Sequence, residues 1–309
     1  MFGAIARFEL RYQLRNPVFW AVAILFFLLT FGSVTVEQIS LGIGGNVHKN
    51  AATAIARTHF IMSLFFMFVT TAFVANVVVR DDESDFGQMV RSTRVTKAAY
   101  LFARFLGAYA AAAIAFVVVP LAMWLGTLMP WVDPETLGPN RVGDYLYAYF
   151  LLGLPNLFLT AGIFFAVATM TRSMTYSYLA VIAFLVVYLT LIGITAEKPE
   201  WRETIAYLEP FGIGAFGWLT RYWTPAEANA AMPAFAGVLA ANRVIAVMLG
   251  GLALAVAWWR FSFTERGASK RRLRREQRRL GNRFGRHVVG RGEAPRPVGD
   301  DADAGSERF

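Results

Sequence analysis

The chain has 309 residues, 56% of them hydrophobic, and a mean hydropathy of +0.45. Soluble domains average about 45–50% apolar residues even with glycine counted, so the composition excludes an ordinary soluble domain. Thirty Lys and Arg against 21 Asp and Glu give a formal charge of +9, and the lack of cysteine removes disulfides and thiolate metal sites.

Residues 1–16 place Phe2, Ile5, Phe8 and Tyr12 at helical spacing, with Arg7, Arg11 and Arg15 on the opposing side. This predicts an amphipathic helix lying on the membrane face and turning at Asn16-Pro17; a solvated lead-in to the first span is the plainer alternative. Six apolar blocks follow, at 17–36, 60–79, 98–128, 145–170, 174–194 and 235–259. Blocks of about 20 residues match a hydrocarbon core of roughly 30 Å. Both faces of each block are apolar, so the period-two alternation of a β-barrel is missing, and helices are what satisfies the backbone in lipid. The expected fold class is an all-α integral membrane protein with six transmembrane helices. The first block is too long for a signal peptide and lacks a small-x-small cleavage site, so it is expected to stay as a span.

The loops carry the charge. Residues 37–58 contain Gly42, Gly44, Gly45 and Lys49, but no glycine directly precedes the lysine, no Ser or Thr follows it and no strand leads in, so this is not a phosphate loop. Residues 80–97 begin with Arg80, Asp81, Asp82, Glu83 and Asp85 and end with Arg91, Arg94 and Lys97. Acids before bases suit a helix dipole, and a short, stiff helix outside the bilayer is expected there. Arg104 stands inside the third block, where a central arginine costs about 2.5–3.5 kcal/mol. It is expected to snorkel to the interface or to pair with the acids of 80–97. With no Asp or Glu beside it within a span, an ion pathway is disfavoured.

Pro120, Gly126 and Pro130 close the third block, and Pro155 and Asn156 interrupt the fourth; kinking and plain packing are both open for them. Thr171-Arg172-Ser173 is a tight turn. Residues 195–233 form a long aromatic segment that includes Phe216, Trp218, Tyr222 and Trp223, with Gly212, Gly214 and Gly217 expected to break any long helix. An interfacial or re-entrant hairpin and a simple aromatic anchor belt are the two readings. Residues 264–309 are basic and then rich in Gly, Pro and Asp. They predict a largely disordered tail that touches anionic lipid, and without interleaved aromatics nucleic-acid binding is not expected.

Counting Lys and Arg on alternate loops, with the N-terminus inside, gives 23 on the inner side against 7 on the outer, the latter including Arg57, Arg202, Arg221 and Arg243. Both termini are therefore expected in the cytoplasm. The chain divides into an interfacial helix at 1–16, a membrane domain at 17–263 and the tail. No catalytic machinery is visible: His48, His59 and His287 lie far apart, His48 and His59 are expected to be solvated in an outer loop, and no zinc motif or nucleophile elbow occurs. No metal or cofactor is expected, and no enzyme activity; if the protein does work, another chain hydrolyses the nucleotide.

Six spans, an interfacial first helix, a charged segment after the second span and a decorated outer loop before the sixth resemble the permease of a type-2 ABC exporter. Glu83, Gly87, Ser92, Val95, Lys97 and Arg104 stand where that family carries its coupling pattern, with Asp82 beside them; Arg94 departs from it, since a proline often precedes the valine. A narrower resemblance covers about residues 1–263. It rests on Phe8-Glu9-Leu10-Arg11-Tyr12, Asn16-Pro17, Glu209-Pro210-Phe211-Gly212, Tyr222-Trp223-Thr224 and Asn242-Arg243. Those residues are similar to the permease-like half of bacterial membrane proteins fused to a zinc aminopeptidase, whose peptidase motif this chain lacks. The resemblance implies a homodimer or a pairing with a related half, a cytosolic ABC ATPase docked on the segment around Glu83 to Ser92, contact with lipid, and a place in the bacterial inner membrane. A non-transporting anchor that recruits a partner through its basic tail is the competing class, and a secondary transporter is disfavoured for want of buried acids.

Overall fold

The computed structural model describes residues 1–36, 46–83, 96–196 and 198–261. Among these, every regular element is helical and no strand occurs. Helix α1 (Phe2–Arg15) ends at Asn16, whose extended backbone turns the chain and whose Oδ1 accepts a hydrogen bond from the Val18 amide at 3.0 Å. Pro17 opens α2 (Pro17–Thr35), a position where its missing N–H is no loss. Lys49 then returns to the end of α2 and donates through Nζ to the Val34 carbonyl at 3.1 Å, a cation satisfying an orphan acceptor at a helix C-terminus. Gly42, Gly44 and Gly45 lie outside the described residues.

Helix α3 (Ala52–Glu83) begins eight residues before its apolar block. Hydropathy misses this turn because it packs on protein rather than lipid: Ala52, Ala54, Ile55 and Ala56 are buried, and Thr53 donates to the Ala228 carbonyl at 2.9 Å. The third span is two helices, α4 (Lys97–Phe116) and α5 (Val118–Gly126), parted at Val117. Pro120 explains the break, since it cannot donate to the Phe116 carbonyl four residues back. The fourth span runs unbroken through α6 (Val142–Tyr147), a π-helical stretch (Ala148–Gly153) and α7 (Leu154–Thr171). Pro155 and Asn156 therefore do not interrupt it. The wider π turn just before Pro155 absorbs the missing donor, a recognised use of such bulges.

Arg172 adopts the left-handed conformation (φ 51°), and its N–H bonds to the Ala168 carbonyl at 2.7 Å, closing α7 with the expected tight turn. Helix α8 (Met174–Ala196) forms the fifth span. The long segment after it holds a 3-10 turn (Pro199–Trp201) and α9 (Arg202–Leu208), α10 (Ile213–Thr220) and α11 (Pro225–Ala230). Thr224 and Glu227 make a reciprocal capping box at the start of α11. The Thr224 amide and then its hydroxyl hold the Glu227 carboxyl below its ordinary range. Helix α12 (Gly237–Arg260) is the sixth span. Of the three glycines expected to break helices, only Gly212 does so; Gly214 and Gly217 lie inside α10.

Among the described residues, six helices are long and apolar enough to cross a membrane. The fifth makes the case most directly, because only 11% of its apolar window is buried, while Leu179, Ile182, Val186 and Leu189 face outward at half exposure or more. Water would not tolerate that surface, whereas lipid does. Inside the bundle, phenylalanines meet edge to face, as at Phe26–Phe66 (4.8 Å between centroids) and Phe66–Phe116 (5.2 Å).

Helices α7 and α12 cross at Gly162 and Gly250, where a Cβ on Gly162 would come within 2.5 Å of the Gly250 carbonyl oxygen. Small residues at the crossing let two membrane helices approach closely. Gly162→Val is expected to destabilise the bundle by about 1–3 kcal/mol through overpacking, read as a lower midpoint of thermal unfolding in detergent. An unchanged midpoint would mean that the crossing relaxes freely.

Candidate functional site

Two clusters of buried polar side chains lie at opposite ends of the bundle. The first is built on α1. The fourfold spacing of Glu9 and Gln13 puts both on one helical face, and that face is buried: Glu9 is 0% exposed and Gln13 1%. Phe2, Phe8 and Tyr12 point outward instead. Arg80, near the end of α3, donates from Nη2 to Glu9 Oε2 at 2.7 Å, and Arg104, on α4, donates from Nη1 to the same oxygen at 2.5 Å. Gln13 donates to Glu9 Oε1 (3.0 Å) and to the Phe73 carbonyl (3.3 Å).

Aromatic faces complete the shell. The Arg80 guanidinium lies 3.9 Å from the Tyr12 ring centroid, and that of Arg104 lies 5.8 Å from Phe8 and 5.5 Å from Tyr100. Gly107 lets α1 settle, since a Cβ there would stand 2.6 Å from both the Ala6 carbonyl oxygen and Glu9 Cβ.

This corrects two expectations. Arg104 meets Glu9, ninety-five residues back in the chain, and is buried rather than snorkelling. A buried acid does accompany it. Sequence spacing alone hides the pairing because the partner sits in an amphipathic helix, outside every apolar block. The usable signals were the Glu9–Gln13 stripe and the need of a membrane arginine for a partner.

The remaining residues of the expected coupling segment are only partly described. Asp82 and Glu83 fall in the last turn of α3. Lys97 starts α4 with Nζ 5.3 Å from the Trp258 ring centroid, and Thr96 caps that helix by accepting from the Ala99 amide. Gly87, Ser92 and Val95, with the helix expected around them, lie outside the described residues, as do His287 and the tail at 264–309.

The second cluster unites four spans, through Ser63, Asn156, Tyr188 and Asn242-Arg243, with the hairpin of α9 and α10. Glu209, 4% exposed, accepts from the Tyr188 hydroxyl (2.8 Å) and the Phe211 amide (2.9 Å) on Oε1, and from the Gly214 amide (3.1 Å) on Oε2. The carboxylate thus satisfies orphan donors at the start of α10. Arg243, 2% exposed on α12, donates to Asn156 Oδ1 at 2.5 Å, to the Pro210 carbonyl at 3.2 Å and to Asn242 Oδ1 at 3.0 Å. Asn156 also donates to Ser63 (2.8 Å), and Asn242 donates to the Tyr207 and Glu209 carbonyls (2.9 and 2.8 Å).

Gly212 is left-handed at φ 86°, and a Cβ on it would lie 2.5 Å from Arg243 Cζ. Phe211 is fully buried against Tyr188, whereas Tyr222 is 81% exposed; Trp223 donates its amide to the Thr220 carbonyl. Arg243 is therefore a buried span residue, not an outer loop charge, and three acceptors gather at its head: Asn156 Oδ1, Asn242 Oδ1 and the Pro210 carbonyl.

Buried acids are not lacking, then; both carboxylates are held by fixed donors. Each carboxylate accepts three hydrogen bonds, which fix its geometry. His59 is a further correction. It is fully buried on α3 with Nδ1 2.8 Å from the Ile55 carbonyl and its ring beside Phe116, since α3 starts at Ala52, before the apolar block that begins at residue 60. Among the described residues, no three His, Asp or Glu side chains gather as a metal set would. No protein-family model matches the chain, and no curated protein matches it. What the fold itself gives is six membrane-length apolar helices among the described residues.

Proposed function

We propose that this chain is the transmembrane subunit of a type-2 ABC exporter, acting as a dimer or with a related half and driven by a separate cytosolic ATPase. The observation that supports this reading best is the Glu9 junction. Arg80 and Arg104 flank the charged segment on either side, and both bond to the same carboxylate on α1. A push on residues 84–95 would therefore reach α1, α3 and α4 together, moving spans as rigid bodies and alternating access between the two sides. A bacterial inner-membrane location with both termini in the cytoplasm belongs to the same proposal and rests on the Lys and Arg count.

Reversing Asp82 and Glu83 to lysine is expected to weaken association with the ATPase by about ten-fold or more while membrane insertion is kept. Co-purification of the ATPase and transport into inverted vesicles check it; unchanged association and unchanged transport would sink the proposal. The competing anchor reading draws on the fourteen basic residues from Arg260 onward. It predicts the reverse pattern, with loss of function on deleting 264–309 and silence at Asp82 and Glu83.

A further inference from the structure

At the end of the bundle far from α1, a groove of about 320 Å³ runs between the last turns of α8 and the hairpin of α9 and α10. Its walls are apolar, with Ile192 from α8, Ile205 from α9, and Gly217 and Trp218 from α10, and its rim carries Arg202 and Arg221. The two arginines are exposed, and among the described residues neither makes an ion pair. Arg221 is held in place, its guanidinium 3.7 Å from the Trp218 ring centroid and 4.6 Å from that of Tyr222. Trp and Tyr favour the headgroup level of a bilayer, which sets the rim at that depth.

Gly217 has no other role in view. Its φ is ordinary, a Cβ there would meet nothing within 4 Å, and glycine inside a helix costs about 1 kcal/mol relative to alanine. Its missing side chain leaves the floor of the groove open. The opening is also next to α8, the span with the least buried surface, so acyl chains reach it directly.

We infer that this groove binds one anionic phospholipid from the leaflet at that end of the bundle, its phosphate between Arg202 and Arg221 and an acyl chain along Ile192, Ile205 and Gly217. A zwitterionic lipid would bring its own cation against the two arginines. A free phosphate would leave the apolar floor unused. The site stands on the membrane character of the chain and does not depend on the transporter reading.

The full-length protein in mild detergent can be titrated with phosphatidylglycerol and phosphatidylcholine of identical chains, with retention counted by native mass spectrometry. Phosphatidylglycerol should be retained in preference. Arg202→Gln and Arg221→Gln should each lower its retention about five-fold, the effect of one well-placed basic residue at a lipid surface. Gly217→Leu places a side chain in the groove from a position where its Cβ meets nothing within 4 Å, and should lower retention with helicity and thermal midpoint unchanged. Equal retention of the two lipids, a preference that survives all three substitutions, or displacement of the lipid by millimolar inorganic phosphate would each overturn the assignment.

Discussion

Replacing Glu9 with alanine is expected to destabilise the protein by about 3–5 kcal/mol, the scale for breaking a buried ion pair by removing one partner. The reason is the geometry around Oε2, which accepts from Arg80 at 2.7 Å and from Arg104 at 2.5 Å. Arg104 carries most of the effect, since its side chain is 4% exposed and that of Arg80 is 22%. The order of severity expected is therefore Glu9→Ala, then Arg104→Met, then Arg80→Met, because solvent screens the last of these. A double-mutant cycle on Glu9 and Arg104, read from unfolding in detergent, should give a coupling of about 1–3 kcal/mol. Additive effects would mean that each side chain acts by itself and that α1 is not tied through this pair.

Arg243→Met is expected to cost about 3–5 kcal/mol for a similar physical reason at the other end of the bundle. The guanidinium satisfies Asn156 Oδ1, the Pro210 carbonyl and Asn242 Oδ1, all held inside protein, and methionine offers none of them a donor. Glu209→Gln should be milder, about 1–2 kcal/mol, because one side-chain oxygen remains to accept from Tyr188 and Phe211. Its new amide would face the Gly214 N–H, donor against donor. Gly212→Ala should rank with the arginine variant, since it combines a φ of 86° with a Cβ crowded onto Arg243. Thermal unfolding of the three variants checks this ranking, and a stable Gly212→Ala protein would show that the hairpin can shift away from α12.

Membrane burial made the spans easy to read. A run such as 174–194 has to be helical and lipid-facing, so its bounds emerge directly from hydropathy, and α8 begins at Met174 as expected. The start of α3 was not readable in this way, because residues 52–59 pack on protein and carry Thr and His among the alanines. Pro120 broke a helix while Pro155 did not. The difference lies in the backbone just before each proline, a simple break at Val117 in one case and a π turn in the other.

The polar clusters show the limit more sharply. Glu9 and Arg104 are ninety-five residues apart, and Asn156 and Arg243 eighty-seven. Nothing in local pattern can pair them, since periodicity reports only the face on which a residue lies. Glu209-Pro210-Phe211-Gly212 and Asn242-Arg243 stood out as residues, yet their bond to each other depends on α9, α10 and α12 meeting.

The sequence by itself determined the medium, the helical class and the number of spans, because a chain in hydrocarbon must satisfy its backbone locally and bury its length in 20-residue units. Only the tertiary structure decided which charges are buried and what answers them. Desolvated charges need partners within a few ångströms, and that distance is set by the crossing of helices far apart in the chain.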